Sequence, residues 1–419
     1  MVVHCVDDYL ADPRAHGDDC AGADAERLLA EIRRLAPEIS GREAEIEAAR
    51  RVPLDLIDRL KSIGAFRLFV PRSHGGLELD LPTGLHIIQA LARIEGSVGW
   101  VTMIGNGGSL FAPLLSRQTF ERIYGGAPLN YRNGPILAGS TAPVGTAEAT
   151  YTGWRVNGRW PFASGCQHAD WLAGFCVMTE DGRPLPDDGG RPWVRGFLLP
   201  AGDWQIEDTW HVMGLKGTGS HHIVLNNAIV QEANFFELET GTPCLPGPLY
   251  KAPAHLLPLF HGAFSVGVAE AALDDLLTLA NSGRQQLKAA VPLRDSEIFH
   301  YELGRVSAEF RAARAILEAQ IASHWRHALA STLREEALLT EGTQTAIWVS
   351  AACVRVADAC FALAGGSAIY DSSPLQRRMR DLHAANLHAA VHQRHYAAAG
   401  KAAIAAFDCL PDALQQSIA

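Results

Sequence analysis

The chain has 419 residues, too many for one ordinary core at about 100–200 residues per domain, and its 48% hydrophobic and 20% charged content excludes a disordered protein. Lys and Arg number 36 against 46 Asp and Glu, a net charge of −10 with no basic block, which disfavours nucleic acid or an anionic membrane as partner and points to a small molecule. Eight cysteines, at 5, 20, 166, 176, 244, 353, 360 and 409, form no Cys-x-x-Cys pair, so neither a disulfide framework nor a zinc knuckle is indicated.

Acids where a secretory signal would carry bases, and no apolar run near the roughly 18 residues that span a bilayer, predict a cytoplasmic protein. Residues 1–23 are rich in Asp, Gly and His, show no period and read as a mobile tail. From Asp24, placed as an N-cap, Leu28, Leu29, Ile32, Leu35, Ala36 and Ile39 recur at helical spacing. Pro53 opens a second helix with Leu54, Ile57, Leu60 and Ile63 on one stripe and Gly64 at its end. Helical patterns at 82–95 and 118–124 complete an α domain over residues 24–130.

From 131 to 236 the signal is β. Asn157-Gly158 stands between two strand-like runs, 154–156 and 159–162, as the favoured two-residue hairpin turn. Strands follow at 171–178, 194–199 and 223–230. A Gly- and Pro-rich linker at 237–254 precedes long Ala/Leu stretches, which predict four or five antiparallel helices in a bundle over 255–410, with 411–419 as a tail.

Four stretches punctuate this order: Phe69-Val-Pro-Arg-Ser-His-Gly-Gly-Leu77, Gly158-Arg-Trp-Pro-Phe-Ala-Ser-Gly165, Gly214-Leu-Lys-Gly-Thr-Gly-Ser220 and Pro374-Leu-Gln-Arg-Arg-Met-Arg-Asp-Leu382. In order and spacing they resemble the acyl-CoA dehydrogenase fold, and within it the group D flavin-dependent monooxygenases, whose oxygenase takes reduced flavin from a separate reductase. The resemblance implies a mainly α fold with a helical N-terminal domain, a middle β-barrel or sandwich and a C-terminal antiparallel bundle, assembled as a homotetramer. It also implies reduced FMN or FAD, O2 addition to give a flavin C4a-hydroperoxide, and hydroxylation of a small aromatic substrate of phenol, indole or polycyclic type.

The stretch from Trp160 to Gly165 offers an apolar wall and a hydroxyl at a strand end. By resemblance, Phe162 packs beside the flavin ring and the Ser164 hydroxyl accepts the N5–H of the reduced ring. The residues alone fit an ordinary strand-terminal serine beside a buried aromatic pair better. The resemblance places Ser140 and Thr141 at the pyrimidine end of the flavin. It places Gly365, Gly366 and Ser367, in a turn between bundle helices, against cofactor held by a neighbouring subunit, and Arg284 on a phosphate. A simple turn and a solvated charge explain those residues too. The glycines of 214–220 fall at the wrong intervals for a dinucleotide fingerprint, so a Rossmann fold is rejected.

The dehydrogenases carry a glutamate shortly after the pair matching Arg380-Asp381, and it removes the α-proton of an acyl thioester. Here the place reads His388-Ala389, with no acid between Asp381 and Asp408. The monooxygenases have histidine there, which implies His388 as the catalytic imidazole, accepting a substrate proton or hydrogen-bonding the peroxide. His388 and His392 lie four apart on an expected helix, a spacing that suits a metal, but no third ligand pattern accompanies them and no metal is assigned. Related phenol hydroxylases offer a histidine after the Gly-Trp pair, whereas Gly99-Trp100 is followed by a segment whose polar groups are Asn106 and Ser109. That departure favours a neutral ring in a pocket lined by Trp100, Asn106, Phe111 and Trp210. An acyl-CoA dehydrogenase or oxidase, and a non-catalytic flavin-binding protein, are the alternatives.

Overall fold

The computed structural model describes residues 19–125 and 134–408, so the tail expected at 411–419, and all but 19–23 of the tail expected at the start, lie outside the described residues. Helix α1 (Asp19–Gly41) begins before the expected cap. Asp24 lies inside it and pairs instead with Arg72 at 2.7 Å, tying α1 to the next segment. A short helix that the periodicity did not show, α2 (Glu43–Ala49), precedes α3 (Leu54–Ile63), which Pro53 caps from just outside and Gly64 stops at φ 94°. Helix α4 (Leu81–Ile94) is capped by Asp80, whose carboxylate accepts the Thr83 N–H. Helix α6 (Arg117–Tyr124) is capped by Ser116 in the same way.

Between them, α5 (Gly96–Phe111) was not expected. Its five glycines each cost a helix about 1 kcal/mol relative to alanine. Burial of 14 of its 16 residues outweighs that cost, and the glycines allow the burial: a Cβ at Gly99 would lie 2.5 Å from Ala92 Cα of α4.

Strands β1 (Leu137–Gly139), β2 (Gly145–Thr150), β3 (Gly153–Ala163), β4 (Trp171–Glu180), β5 (Arg183–Pro184), β6 (Val194–Pro200), β7 (Gln205–Glu207), β8 (His221–Val230) and β9 (Phe235–Phe236) form one mixed sheet. Its order is β7-β8-β3-β2-β4-β6-β9, with β1 and β5 attached to β4. The hairpin expected at Asn157-Gly158 is corrected: β3 runs straight through the pair as one strand, with register shifts against β8 at Val156/Gly158 and Trp160/Ala163. Asn157 Oδ1 accepts the Asn227 N–H at 2.7 Å, and a Cβ at Gly158 would strike the Trp160 ring at 2.6 Å, so close packing rather than a turn selects the glycine.

The linker is irregular up to the 3-10 turn Pro253–His255, after which come α7 (Leu257–Asn281), α8 (Glu297–Ala330), α9 (Glu336–Ala364), α10 (Pro374–Ala385) and α11 (His395–Asp408). Helix α7 is the axle of the molecule, packed against α4, α5, α8, α9 and α10. The stretches 253–281 and 336–369 are long and apolar enough to cross a membrane, which the sequence reading did not anticipate, but 89% of the most apolar window of the first is buried in the protein's own core. Helix α10 acts as a latch. Its Arg378 reaches Asp275 of α7 at 3.2 Å and Arg380 reaches Glu47 of α2 at 2.8 Å, while Asp381 Oδ1 accepts the Leu215 N–H at 2.6 Å and so holds the loop before β8.

Candidate active site

The second bulge of β3 turns the chain at Phe162, whose φ of 61° is unusual for a residue with a side chain. Phe162 stands 64% exposed with its ring edge-on to Trp210 at 6.3 Å, and two residues later Ser164 is buried. Ser164 Oγ receives the indole N–H of Trp100, on α5, at 2.9 Å and lies 2.7 Å from Ser220 Oγ. Ser220 Oγ is in turn 2.6 Å from Thr218 Oγ1, which donates to the Leu215 carbonyl at 2.8 Å.

On its other side Trp100 meets two imidazoles. Its ring centroid is 5.3 Å from that of His261, on α7, and 5.8 Å from that of His388; the two histidines stack at 4.1 Å and 27°. His388 is not on a helix, because α10 stops at Ala385. It caps the 3-10 turn Ala389–Val391, its Nδ1 accepting the Ala390 N–H at 3.1 Å, which removes the helical spacing to His392 that the sequence reading assumed. An accepting Nδ1 leaves the proton of the neutral ring on Nε2. Burial lowers His388 to about 4 and His261 well below the usual imidazole range, so both rings are neutral at pH 7. His261 Nδ1 is buried without a hydrogen-bond partner among the described residues. The sequence reading missed His261; its one signal is a lone polar ring inside the apolar run 257–265.

The other predicted residues separate. Asn106 is fully buried with its amide committed to backbone: it accepts the Leu68 N–H at 2.9 Å and donates to the carbonyls of Ala65 and Thr102 at 2.8 and 2.9 Å. Phe111 packs on Phe236 at 6.0 Å in a different apolar cluster, about 16 Å along α5 from Trp100. Trp210 is the exception: half-buried, it stays edge-on to Phe162 and donates to the Leu215 carbonyl at 3.0 Å. Ser140 is buried and accepts the Ala142 N–H at 3.4 Å, while Thr141 is exposed. Arg284 lies two residues before Gln286, which donates to the Leu363 carbonyl at 2.9 Å beside the turn at Gly365, Gly366 and Ser367. They lie past the far end of α7, about 30 Å or more along that helix from His261.

A helical domain, a mixed sheet and a helical bundle in this order constitute the acyl-CoA dehydrogenase architecture, and the matches agree. Residues 23–121 match the acyl-CoA dehydrogenase N-terminal domain and 259–393 its C-terminal domain. Within that architecture the chain belongs to the flavin-dependent monooxygenases. It is 31% identical over 364 residues to the indole-3-acetate monooxygenase of Pseudomonas putida, covering 86% of this chain and 89% of the relative. It is 28% identical over 386 residues to the flavin-dependent monooxygenase oxygenase subunit HsaA of Mycobacterium tuberculosis, covering 88% and 92%. The crystal structure of 3-HSA hydroxylase from Rhodococcus sp. RHA1 superposes with a TM-score of 0.83 at 27% identity, covering 90% and 97%.

Proposed function

We propose that this protein is the oxygenase component of a two-component system, taking reduced FMN or FAD from a separate flavin reductase and using O2 to hydroxylate a small aromatic molecule. The observation that carries the proposal is the His388 imidazole, linked through Trp100 to Ser164, in a segment where residues 382–407 contain no Asp or Glu. Removing the α-proton of a thioester needs a base there, and a ring titrating near 4 with its Nδ1 already engaged is a poor one. A relative named for indole-3-acetate supports an aromatic ring as the substrate class.

The residues fit a flavin. An exposed Phe162 offers an aromatic face, and beside it the buried Ser164 hydroxyl keeps a lone pair free for a ring N–H. When bound, reduced flavin supplies the electrons that activate O2. The chain's own part is to orient and to exclude water: Ser164 would receive a ring N–H of the bound flavin, Trp100 walls the pocket, and His388 offers Nε2–H as a fixed donor. His261 has a free ring nitrogen for a substrate O–H or N–H. Arg284 and the turn 365–367 reach flavin in a neighbouring subunit of a homotetramer, whose contacts cover the exposed Leu287, Ile298, Tyr301 and Tyr370 of the bundle.

The test supplies anaerobically reduced FMN or FAD with indole or a simple phenol, then isotopically labelled O2. One labelled oxygen in the product, with no bleaching of oxidised FAD by an acyl-CoA, is the expected result. Bleaching by acyl-CoA without labelled product would overturn the reading.

A further inference from the structure

We propose that Trp100, Ser220 and Thr218 set the direction of the Ser164 hydroxyl so that it accepts but does not donate, and that this makes the site select the reduced form of its flavin. The inference rests on the placement of the flavin N5 edge at Ser164 given above.

The chain of contacts runs Trp100 Nε1, Ser164 Oγ, Ser220 Oγ, Thr218 Oγ1, Leu215 carbonyl, at 2.9, 2.7, 2.6 and 2.8 Å. One end is an indole N–H, which only donates, and the other is a carbonyl, which only accepts. Four short contacts each need one proton between their heavy atoms, and the groups carry four: one indole N–H and three hydroxyls. Only one assignment fills every gap. Thr218 gives its proton to Leu215, Ser220 to Thr218, Ser164 to Ser220, and Trp100 to Ser164. All four side chains are buried, so water does not compete for these protons.

Ser164 is then left with one lone pair and no proton to offer. Reduced flavin presents N5–H, a donor that this lone pair receives. Oxidised flavin presents N5 as an acceptor, which faces a second acceptor. Turning Ser164 around to donate takes one proton out of the chain and leaves one of its three O–O contacts, at 2.6 to 2.8 Å, with no proton between the oxygens. The preference therefore originates two residues beyond the one that touches the ring, and Ser220 and Thr218 are positioning residues.

The test measures dissociation constants of oxidised and anaerobically reduced FMN and FAD for wild type and variants, by flavin fluorescence and absorbance titration, with no turnover involved. Ser220→Ala and Thr218→Val each free the Ser164 proton. Both should tighten oxidised flavin relative to reduced by about tenfold, the size of one neutral hydrogen bond, while Thr218→Ser, which keeps the hydroxyl, leaves the ratio as in wild type. Ratios unchanged in Ser220→Ala and Thr218→Val, with a changed ratio in Ser164→Ala, would overturn this proposal alone. A ratio unchanged in Ser164→Ala as well would overturn the placement of flavin at Ser164 on which it rests.

Discussion

His388 and His261 stack face to face, yet their nitrogens are in different circumstances. His388 Nδ1 is engaged by the Ala390 N–H, whereas His261 Nδ1 is buried with nothing to bond among the described residues. A buried unpaired polar atom costs about 1–3 kcal/mol, so the fold does not gain from His261 as it stands. His261→Leu, close in volume, should therefore raise stability by about 1 kcal/mol, seen as a higher denaturation midpoint, while hydroxylation by the reduced enzyme falls. A lowered midpoint with unchanged turnover would make His261 a packing residue. At this scale the sequence was legible where a motif has a fixed length: His388 stands out because an imidazole occupies the place of an acid. His261 did not stand out, since a single histidine in an apolar helix reads as core until its neighbours in space are known. Asn106 shows the converse. Polarity beside Trp100 pointed to substrate, but three backbone groups, from α5 and the segment after α3, converge on its amide.

Among the elements, long amphipathic helices and β-branched strands were readable because one face alternates with the other, and α1, α3, α4, α6 and the bundle appear within a few residues of their expected bounds. Two of the failures share a physical cause. Helix α5 and the Asn157-Gly158 stretch are glycine-rich, and glycine there serves close approach, which depends on a partner distant in sequence. Two substitutions separate local preference from packing. Gly99→Ala gains about 1 kcal/mol of helix propensity but drives a methyl to 2.5 Å from Ala92 Cα of the neighbouring helix, where overpacking costs about 1–3 kcal/mol and backbone gives least. The net effect should be a lower urea midpoint. Gly304→Ala, in α8 with nothing within 4 Å of the new methyl, should raise the midpoint by about 0.5–1 kcal/mol. If both variants move the same way, packing at α5 is not what selects its glycines.

For the molecule as a whole, burying many ionisable groups in one continuous core makes stability depend on pH. His86, His168, His324 and His388 are each held down to about 4 by burial, and His261 is likewise pushed well below the usual imidazole range. The unfolded chain binds those protons near pH 6.5 and the folded chain does not, so their contribution is complete above about pH 6.5 and is lost as pH falls toward 4. Two buried carboxyls oppose this. Burial raises Glu95 to about 7 and Asp381 to about 6, so they favour the folded state when protonated and weaken it as pH rises through 6 to 7. Near pH 5.5 these five imidazoles outweigh these two carboxyls, and through these seven groups the unfolded chain binds roughly three more protons than the folded one. Calorimetry should show the unfolding temperature falling steadily from pH 7 to pH 5, and a rise over that interval would show the carboxyls to dominate. His324 isolates the cause, being fully buried in α8 against Gly342 and sharing no hydrogen bond or ring contact with the Trp100 cluster among the described residues. Its Nδ1 meets the Gln320 carbonyl at 3.0 Å, a contact that the amide N–H of glutamine can make in its place. His324→Gln should flatten the acid limb by about one proton, near 1.4 kcal/mol per pH unit, without changing which flavin the site binds.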